Sequence, residues 1–308
     1  MVWTWADITS GLGLEPDEAG GVAGPVTGPS DGGADPVMRW RTRLLEGGAA
    51  LRYRASAADT VVFWHHGSPA IVVTDDHRPL AVLGGADGGR DSRQCTVPAG
   101  VRHTVVADGG EPVLWSEASV PGRADWTFDD QVVRPSRPVD GARSERGAPR
   151  PSTVESFDLT EHIEGGYFRQ LWESERTLRT DRGERALANS ILYLLDRRSP
   201  IGRLHLNASD IVHFAHGSGV VEYLLVAPDG TVHQRSLGVD VTRGQVPALT
   251  VQGGWWKASS LADDQEEALI SEIAAPGFAF EDQRLARVSD VPELFPDQID
   301  RVLPYAFG

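Results

Sequence analysis

The chain of 308 residues repeats itself, and this duplication constrains its fold more than any other feature. Residues 114–130 read LWSEASVPGRADWTFDD and residues 269–283 read LISEIAAPGFAFEDQ, so both contain the pattern S-E-x-x-x-P-G. Further upstream, SAADTVVFWHHGS at 56–68 corresponds to ASDIVHFAHGS at 208–218. Matching blocks that occur in the same order predict two domains built on one plan.

The two copies are separated by residues 134–152, which are rich in Pro, Arg, Gly and Ser and show no apolar periodicity. Such a composition is typical of a linker. We therefore expect a first domain at 1–133, a linker at 134–152 and a second domain at 153–308. A second Gly- and Pro-rich stretch, residues 20–36, stands where the second copy has EGGYFRQLWESERTLRTDRGERA, so we expect the first copy to lack an ordered β-hairpin there.

Short β-rich segments bounded by turn residues recur within each copy. VVEYLLVA and TVHQRSLGV are examples, and the chain contains 34 glycines and 20 prolines. Short strands joined by many turns indicate an all-β sandwich or barrel.

Charge and composition restrict the classes of partner. The formal net charge of −15 disfavours nucleic acids and anionic membrane surfaces. No apolar run approaches the ~20 residues that span a bilayer, and the first residues lack the order of a signal peptide. Cys95 is the only cysteine, which excludes an intrachain disulfide. We therefore expect a cytoplasmic protein that acts on a small molecule and binds neither nucleic acid nor a membrane.

The second copy resembles the Cupin_5 (DUF985) family of RmlC-like cupins. Its landmarks run in family order: EGGYFRQ (164–170), SILYLL (190–195), SPIGRLHLNASDIVHF (199–214), VQGGWWKAS (251–259) and APGFAFEDQ (275–283). The resemblance implies an all-β bicupin, with two tandem jelly-roll barrels of which the second is complete and the first degenerate. Because single-barrel members of the family form homodimers, it also implies a pseudo-dimeric monomer, with a further homodimer still open. It implies no settled reaction.

The resemblance also implies where metal ligands would stand in a metal-binding cupin. In the second copy the two histidine positions of the first block hold Arg203 and His205, Asp210 takes the acidic position, and Lys257 replaces the last histidine. In the first copy only His103 fits the pattern. Two cations facing two ligands would repel a dication. We therefore favour no metal cofactor. If a divalent metal such as iron, nickel, manganese or zinc is bound, its ligands would be His205, Asp210 and His213.

Comparing the copies separates architecture from chemistry. Features that occur in both, including S-E-x-x-x-P-G and the HGS turn, are predicted to be architectural. Features confined to the second copy are the better functional candidates, namely Glu164, Tyr167, Arg169, His205, Asn207, His213 and Lys257. The candidate catalytic residues are His205, Asp210 and Lys257, the only lysine in the chain, and the candidate substrate-binding residues are Glu164, Tyr167, Arg169, Arg203, Asn207, His213 and Trp255.

Three classes of function remain open. A histidine poised near neutral pKa and held by Asp210 could remove a proton next to a carbonyl while Lys257 or Arg203 stabilises the enolate, as in metal-independent isomerases, epimerases, cyclases and dehydratases. A polar pocket rimmed by Trp and Tyr would suit a sugar nucleotide or a polyketide-like intermediate of specialised metabolism. The alternatives are a metal-dependent cupin oxygenase or lyase, and a bicupin that binds a small molecule without turnover.

Overall fold

The computed structural model describes residues 4–28, 36–84, 92–123, 125–132 and 152–308. The chain divides into two compact units, residues 1–157 and 158–308. The expected linker at 134–152 lies outside the described residues except for Ser152. The short helix at 153–156, which the sequence assigns to the second domain, groups with the first unit.

The first unit begins with helix α1 (Trp5–Leu12). Thr4 caps it by accepting from the Asp7 amide, and Gly13, at φ 60°, ends it in the left-handed conformation. The strands that follow are β1 (Glu15–Pro16), β2 (Val22–Ala23), β3 (Arg39–Leu45), β4 (Arg52–Ser56), β5 (Asp59–Gly67), β6 (Ala70–Thr74), β7 (Pro79–Leu83), β8 (Gln94–Val97), β9 (His103–Ala107), β10 (Val113–Val120) and β11 (Trp126–Val132), and helix α2 (Thr153–Ser156) closes the unit. They form two sheets, of order β1-β2-β3-β10-β5-β8 and β11-β4-β9-β6-β7.

The second unit repeats this plan and has one further hairpin among the described residues. Its strands are β12 (Thr160–Glu161), β13 (Tyr167–Glu173), β14 (Thr177–Thr180), β15 (Gly183–Ala186), β16 (Asn189–Asp196), β17 (Ile201–Asn207), β18 (Asp210–His216), β19 (Val221–Val226), β20 (Val232–Leu237), β21 (Ala248–Val251), β22 (Trp256–Leu261), β23 (Glu267–Ala275) and β24 (Gln283–Leu285). Helices α3 (Val291–Leu294) and α4 (Ile299–Val302) follow, and 3-10 turns lie at Val241–Arg243, Phe280–Asp282, Val288–Asp290 and Leu303–Tyr305. The sheets are β12-β13-β16-β23-β18-β21 and β20-β19-β22-β17-β24, with β14 and β15 paired as a separate hairpin.

The strand orders of the two units correspond element by element. The run β3-β10-β5-β8 matches β16-β23-β18-β21, and β11-β4-β9-β6-β7 matches β24-β17-β22-β19-β20. Two antiparallel sheets in each unit are the arrangement of a jelly roll, so the prediction of an all-β protein with two tandem jelly-roll units is confirmed. The expected loss of a hairpin at 20–36 is tested only in part, since residues 29–35 lie outside the described ranges.

The central strand of each six-stranded sheet contributes buried residues to the interior of its unit. β10 lies between β3 and β5 and is buried along its whole length, because both of its edges are paired and both of its faces are covered. Glu117 on β10 and Glu272 on β23 occupy equivalent positions in these strands. The glutamate of S-E-x-x-x-P-G is thus an interior residue in both units, where a carboxylate requires a charged or hydrogen-bonding partner.

Within the described ranges, no helix has the length and apolar character needed to cross a membrane.

Candidate active site

The second unit contains a cavity of about 230 Å³. Its polar lining consists of His162, Glu164, Gln170, Asn189, Tyr193, His205, Asn207, Lys257 and Glu272, and its apolar lining of Phe168, Ile191, Ile211, Ala274, Phe278 and Phe280. Both sheets contribute, since β13, β16, β18 and β23 belong to one and β17 and β22 to the other. A cavity with apolar walls and a few converging polar groups is the usual form of a small-molecule site.

His205 presents one ring nitrogen to this cavity as an acceptor. Its Nδ1 lies 2.7 Å from the carbonyl oxygen of Arg203, so Nδ1 carries the proton and donates it. Nε2 is buried without a hydrogen bond and lies 3.2 Å from Oε1 of Glu164. Burial, reinforced by the charge of Lys257, lowers the pKa of His205 well below its usual value. The ring is therefore neutral, with a free lone pair on Nε2.

Glu164 is the carboxyl group beside His205, and it is held by a tight turn between β12 and β13. Gly165 and Gly166 follow it with φ of 96° and 71°, and a Cβ on Gly165 would lie 2.2 Å from the Ile201 carbonyl oxygen. The Glu164 carbonyl oxygen accepts from the Arg203 amide at 2.7 Å, which ties this turn to β17. Gly165 must adopt a positive φ and leave room for the Ile201 carbonyl oxygen, and only glycine can do both.

Burial raises the pKa of Glu164 to about 8, and the charge of Glu272 adds to the effect, although Lys257 acts in the opposite direction. The side-chain amide of Gln283 donates to Oε1, and the Nδ1 of His162 accepts from the Glu164 amide at 3.2 Å. Glu164 is therefore a carboxylic acid at neutral pH and can donate a proton.

Lys257, Glu272 and His213 form a second group across the cavity. The Lys257 ammonium lies 2.7 Å from Nε2 of His213 and 3.3 Å from Oε2 of Glu272. Although burial acts to raise it, the charge of Lys257 and its hydrogen bond hold the pKa of Glu272 at about 2. Burial and Lys257 lower the pKa of His213 to about 4, and its Nδ1 donates to the Leu249 carbonyl oxygen at 3.2 Å. This group is thus an ion pair with a neutral histidine behind it.

The structure brings several of the predicted residues together. Glu164, His205, Asn207 and Lys257 line the cavity. His213 is fully buried and contacts Lys257. The Oδ1 of Asn207 is buried without a hydrogen bond, so it is available to a ligand donor.

Asp210 does not hold His205, contrary to the sequence-based prediction. Its Oδ1 accepts from the Gly253 amide at 2.7 Å, because Asp210 begins β18 and closes the turn that precedes β22. The carboxyl group beside the His205 ring is Glu164.

The other predicted binding residues lie outside the cavity lining. Tyr167 and Arg169 alternate along β13 with Phe168 and Gln170, which line the cavity, so they point to the opposite face of the strand.

Arg203 would share a face with His205 on a regular strand. A register shift between Gly202 and His205 breaks that alternation, and the Arg203 guanidinium reaches the Ala306 carbonyl oxygen at 3.4 Å. Trp255 stacks on His233, with ring centroids 5.4 Å apart.

Sequence reasoning missed Glu272 and His162. Glu272 belongs to S-E-x-x-x-P-G, a pattern that the comparison of the two copies assigns to the architecture because both contain it. His162 lies two residues before Glu164, the first residue of the EGGYFRQ block, and this position is the signal that could have found it.

The donor set does not fit a metal ion. Among the described residues, no three His, Cys, Asp or Glu side chains are arranged to hold one. Of the three suggested ligands, Asp210 bonds a backbone amide and Nε2 of His213 accepts from the Lys257 ammonium. A metal bound by His205, Asp210 and His213 would require these contacts to be broken.

Comparison with known proteins agrees with this architecture. Residues 151–286 match the family model Cupin_5, described as Cupin superfamily (DUF985). The chain is also 36% identical over 151 residues to the uncharacterized protein YML079W of Saccharomyces cerevisiae, a match that covers 44% of this chain and 75% of the yeast protein. The chain belongs to the Cupin_5 family of the cupin superfamily.

The solved structure of oxalate decarboxylase from Bacillus subtilis at pH 4.6 aligns with 93% of this Cupin_5 chain and 82% of its own, with a TM-score of 0.51 and 13% identity. At that identity the likeness concerns the fold alone, and it extends over both cupin units.

Proposed function

We propose that the cavity of the second unit catalyses metal-independent acid–base chemistry at a carbon next to a carbonyl, as an isomerase, epimerase, cyclase or dehydratase of a small molecule. One observation carries the proposal: a neutral His205 with a free Nε2 lies 3.2 Å from Glu164, a carboxyl group that burial keeps protonated. Such chemistry requires an unprotonated base and a protonated acid at the same pH. The different surroundings of the two groups provide both.

Lys257 is suited to stabilise the negative charge that develops. An ammonium group has three N–H donors, and within the described residues its contacts with His213 and Glu272 account for two. The third can reach the carbonyl oxygen of a substrate. A donor fixed in a buried site stabilises an enolate oxygen more strongly than water does.

The proton balance closes within the His205–Glu164 pair. Nε2 of His205 takes the proton from carbon, and the C–H electrons form the enolate double bond. Glu164 then gives its proton either to carbon, in an isomerisation or epimerisation, or to a leaving hydroxyl that departs as water. The products are an imidazolium and a carboxylate side by side, so each charge stabilises the other until the proton passes back.

The cavity volume favours a small substrate. At about 230 Å³ it lies below the ~300–1,000 Å³ typical of sites for drug-sized ligands. Trp255 and Tyr167, which were expected at the rim, lie outside the lining, and Tyr193, Phe168, Phe278 and Phe280 supply its aromatic rings among the described residues. A compact carbonyl compound with an apolar portion therefore fits better than a sugar nucleotide.

Solvent deuterium incorporation tests the proposal whatever the final product is. The purified protein is incubated in D₂O with a panel of small hydroxy ketones, keto acids and β-dicarbonyl compounds, and exchange is followed by proton NMR. We expect exchange next to the carbonyl of at least one compound, loss of that exchange in His205→Gln, and no change in the control Glu266→Gln, which alters an exposed carboxylate. Saturable binding without exchange would instead assign the cavity to ligand binding alone.

A further inference from the structure

The first unit contains arginines where the second has its candidate active site. Arg54 pairs with His103 across β4 and β9, as His205 pairs with Lys257 across β17 and β22. On β3, Arg41 lies opposite Glu117 in the ladder, the position that Ile191 takes opposite Glu272. Around the equivalent glutamate, the first unit therefore has guanidinium groups where the second unit has neutral side chains.

These guanidiniums exceed the carboxylates that face them. The Nε atoms of Arg41 and Arg43 lie 3.1 and 2.6 Å from Oε1 of Glu117, and Arg54 donates to both oxygens of that carboxylate. Asp17 accepts from Arg41 and Arg43 at 2.8 Å each. Within the part of the chain that the structure describes, three guanidiniums therefore meet two carboxylates. A buried excess of positive charge is costly unless an anion offsets it.

Several donors of this cluster lack partners. Nη2 of Arg43 and Nε of Arg54 are buried without a hydrogen bond, and both side chains are fully buried. Arg41 uses Nε and Nη1 in the contacts that the structure shows, which leaves Nη2 open among the described residues. The hydrogen bonds within the cluster therefore leave some of its N–H donors without an acceptor among the described residues.

A cleft of about 380 Å³ adjoins the cluster. Its charged lining is Arg39, Arg41, Arg123, Glu117 and Asp125, and the remainder is Val26, Trp40, Ser119, Gly122 and Trp126. Together with Arg43, Arg54 and Asp17 behind it, five guanidiniums and three carboxylates lie in or next to the cleft among the described residues, in a chain whose formal net charge is −15. Guanidiniums bind carboxylates through paired N–H donors, and tryptophan faces suit a flat apolar body.

We propose that the first unit binds a small organic carboxylate in this cleft, with the carboxylate on Arg39 and Arg41 and the apolar part against Trp126. Trp126 is already placed for this by the Arg54 guanidinium, which lies 4.5 Å from its ring centroid. The site is separate from the cavity of the second unit and does not depend on the chemistry proposed there.

Isothermal titration of the full chain with sodium benzoate, sodium succinate and sodium phosphate at low salt tests the proposal. We expect one equivalent of benzoate or succinate to bind with a Kd below about 1 mM, and at least about tenfold weaker binding in both Arg39→Gln and Arg41→Gln. Arg39 is exposed, so its substitution reports on binding even if Arg41→Gln weakens the fold. Arg235→Gln, which changes an exposed arginine of the second unit, serves as the control and should bind as the wild type does.

Three results would overturn the proposal: no saturable carboxylate binding by the wild type, binding that survives in both cleft variants, or binding of phosphate alone. His205→Gln should leave the titration unchanged, which separates this site from the proposed active site.

Discussion

Nζ of Lys257 and Nε2 of His213 lie 2.7 Å apart inside the second cupin unit. Because Nδ1 of His213 donates to the Leu249 carbonyl oxygen, its Nε2 can only accept, so the Lys257 ammonium donates to a neutral histidine. Glu272, 3.3 Å from the same ammonium, balances that charge. The only lysine of the chain is thus held between a neutral histidine and a carboxylate in a buried cavity.

Replacing Lys257 by Met should leave the Glu272 carboxylate buried without its cation. We expect the free energy of unfolding to fall by about 3–5 kcal/mol, the usual cost of breaking a buried ion pair from one side. The double variant Lys257→Met/Glu272→Gln should recover most of this loss, because no unpaired charge remains. Urea denaturation at neutral pH measures both, and a double variant no more stable than the single one would contradict the assignment.

Glu164 should make the fold less stable as the pH rises. Its pKa is about 8 in the folded protein against an ordinary value of 4.5, so between these values the folded state holds a proton that the unfolded state has released. The free energy of unfolding therefore falls as pH rises through this window. Glu164→Gln removes the effect, and its stability relative to the wild type should increase by a few kcal/mol between about pH 5 and about pH 8, since each unit of pKa shift corresponds to about 1.4 kcal/mol. If the urea midpoints of the wild type and of Glu164→Gln change with pH in parallel, Glu164 is not protonated in this pH range.

Asp210 and Glu164 should differ sharply in their effect on turnover. Asp210→Asn keeps an oxygen that can accept from the Gly253 amide, so deuterium exchange should stay within about twofold of the wild-type rate. Glu164→Gln should remove turnover that needs its acid proton. In the wild type, turnover should decline above about pH 8, as Glu164 ionises. The reverse ranking of the two variants would restore Asp210 as the partner of His205.

Phe280 should affect substrate affinity and not the chemical step. It lines the cavity while 65% of its surface remains exposed, which places it at the opening. Phe280→Ala should raise KM about tenfold with little change in kcat, because it removes apolar contact made equally in ground and transition states. Leu303→Ala, an exposed apolar residue outside the cavity lining, is the matched control. A fall in kcat at unchanged KM would contradict this role.

The two-unit fold could be predicted from the sequence because the matching sequence blocks occur twice in the same order. The family resemblance also placed His205 and Lys257 at ligand positions of one barrel, and their strands do pair at these two residues. The comparison of the two copies failed for Glu272. A position retained in both copies can be interior and charged in both, with each copy supplying its own cations, as Arg54 does for Glu117.

Features of the site that depend on strand geometry were not predictable from the residue pattern. Alternation along β13 allows either Tyr167 and Arg169 or Phe168 and Gln170 to face inward, and the sequence favours neither set. The irregularity between Gly202 and His205 that turns Arg203 away has no residue signature of its own.

The proton on His205 tests the central claim most directly. Nitrogen-15 NMR of histidine-labelled protein, with His205→Gln to identify its signals, reports which ring nitrogen is protonated at each pH. We predict a neutral ring at pH 7 with the proton on Nδ1 and an unprotonated Nε2, since burial and Lys257 lower the pKa of His205. An imidazolium at pH 7, or a proton on Nε2, would leave the cavity without its base and contradict the proposed chemistry.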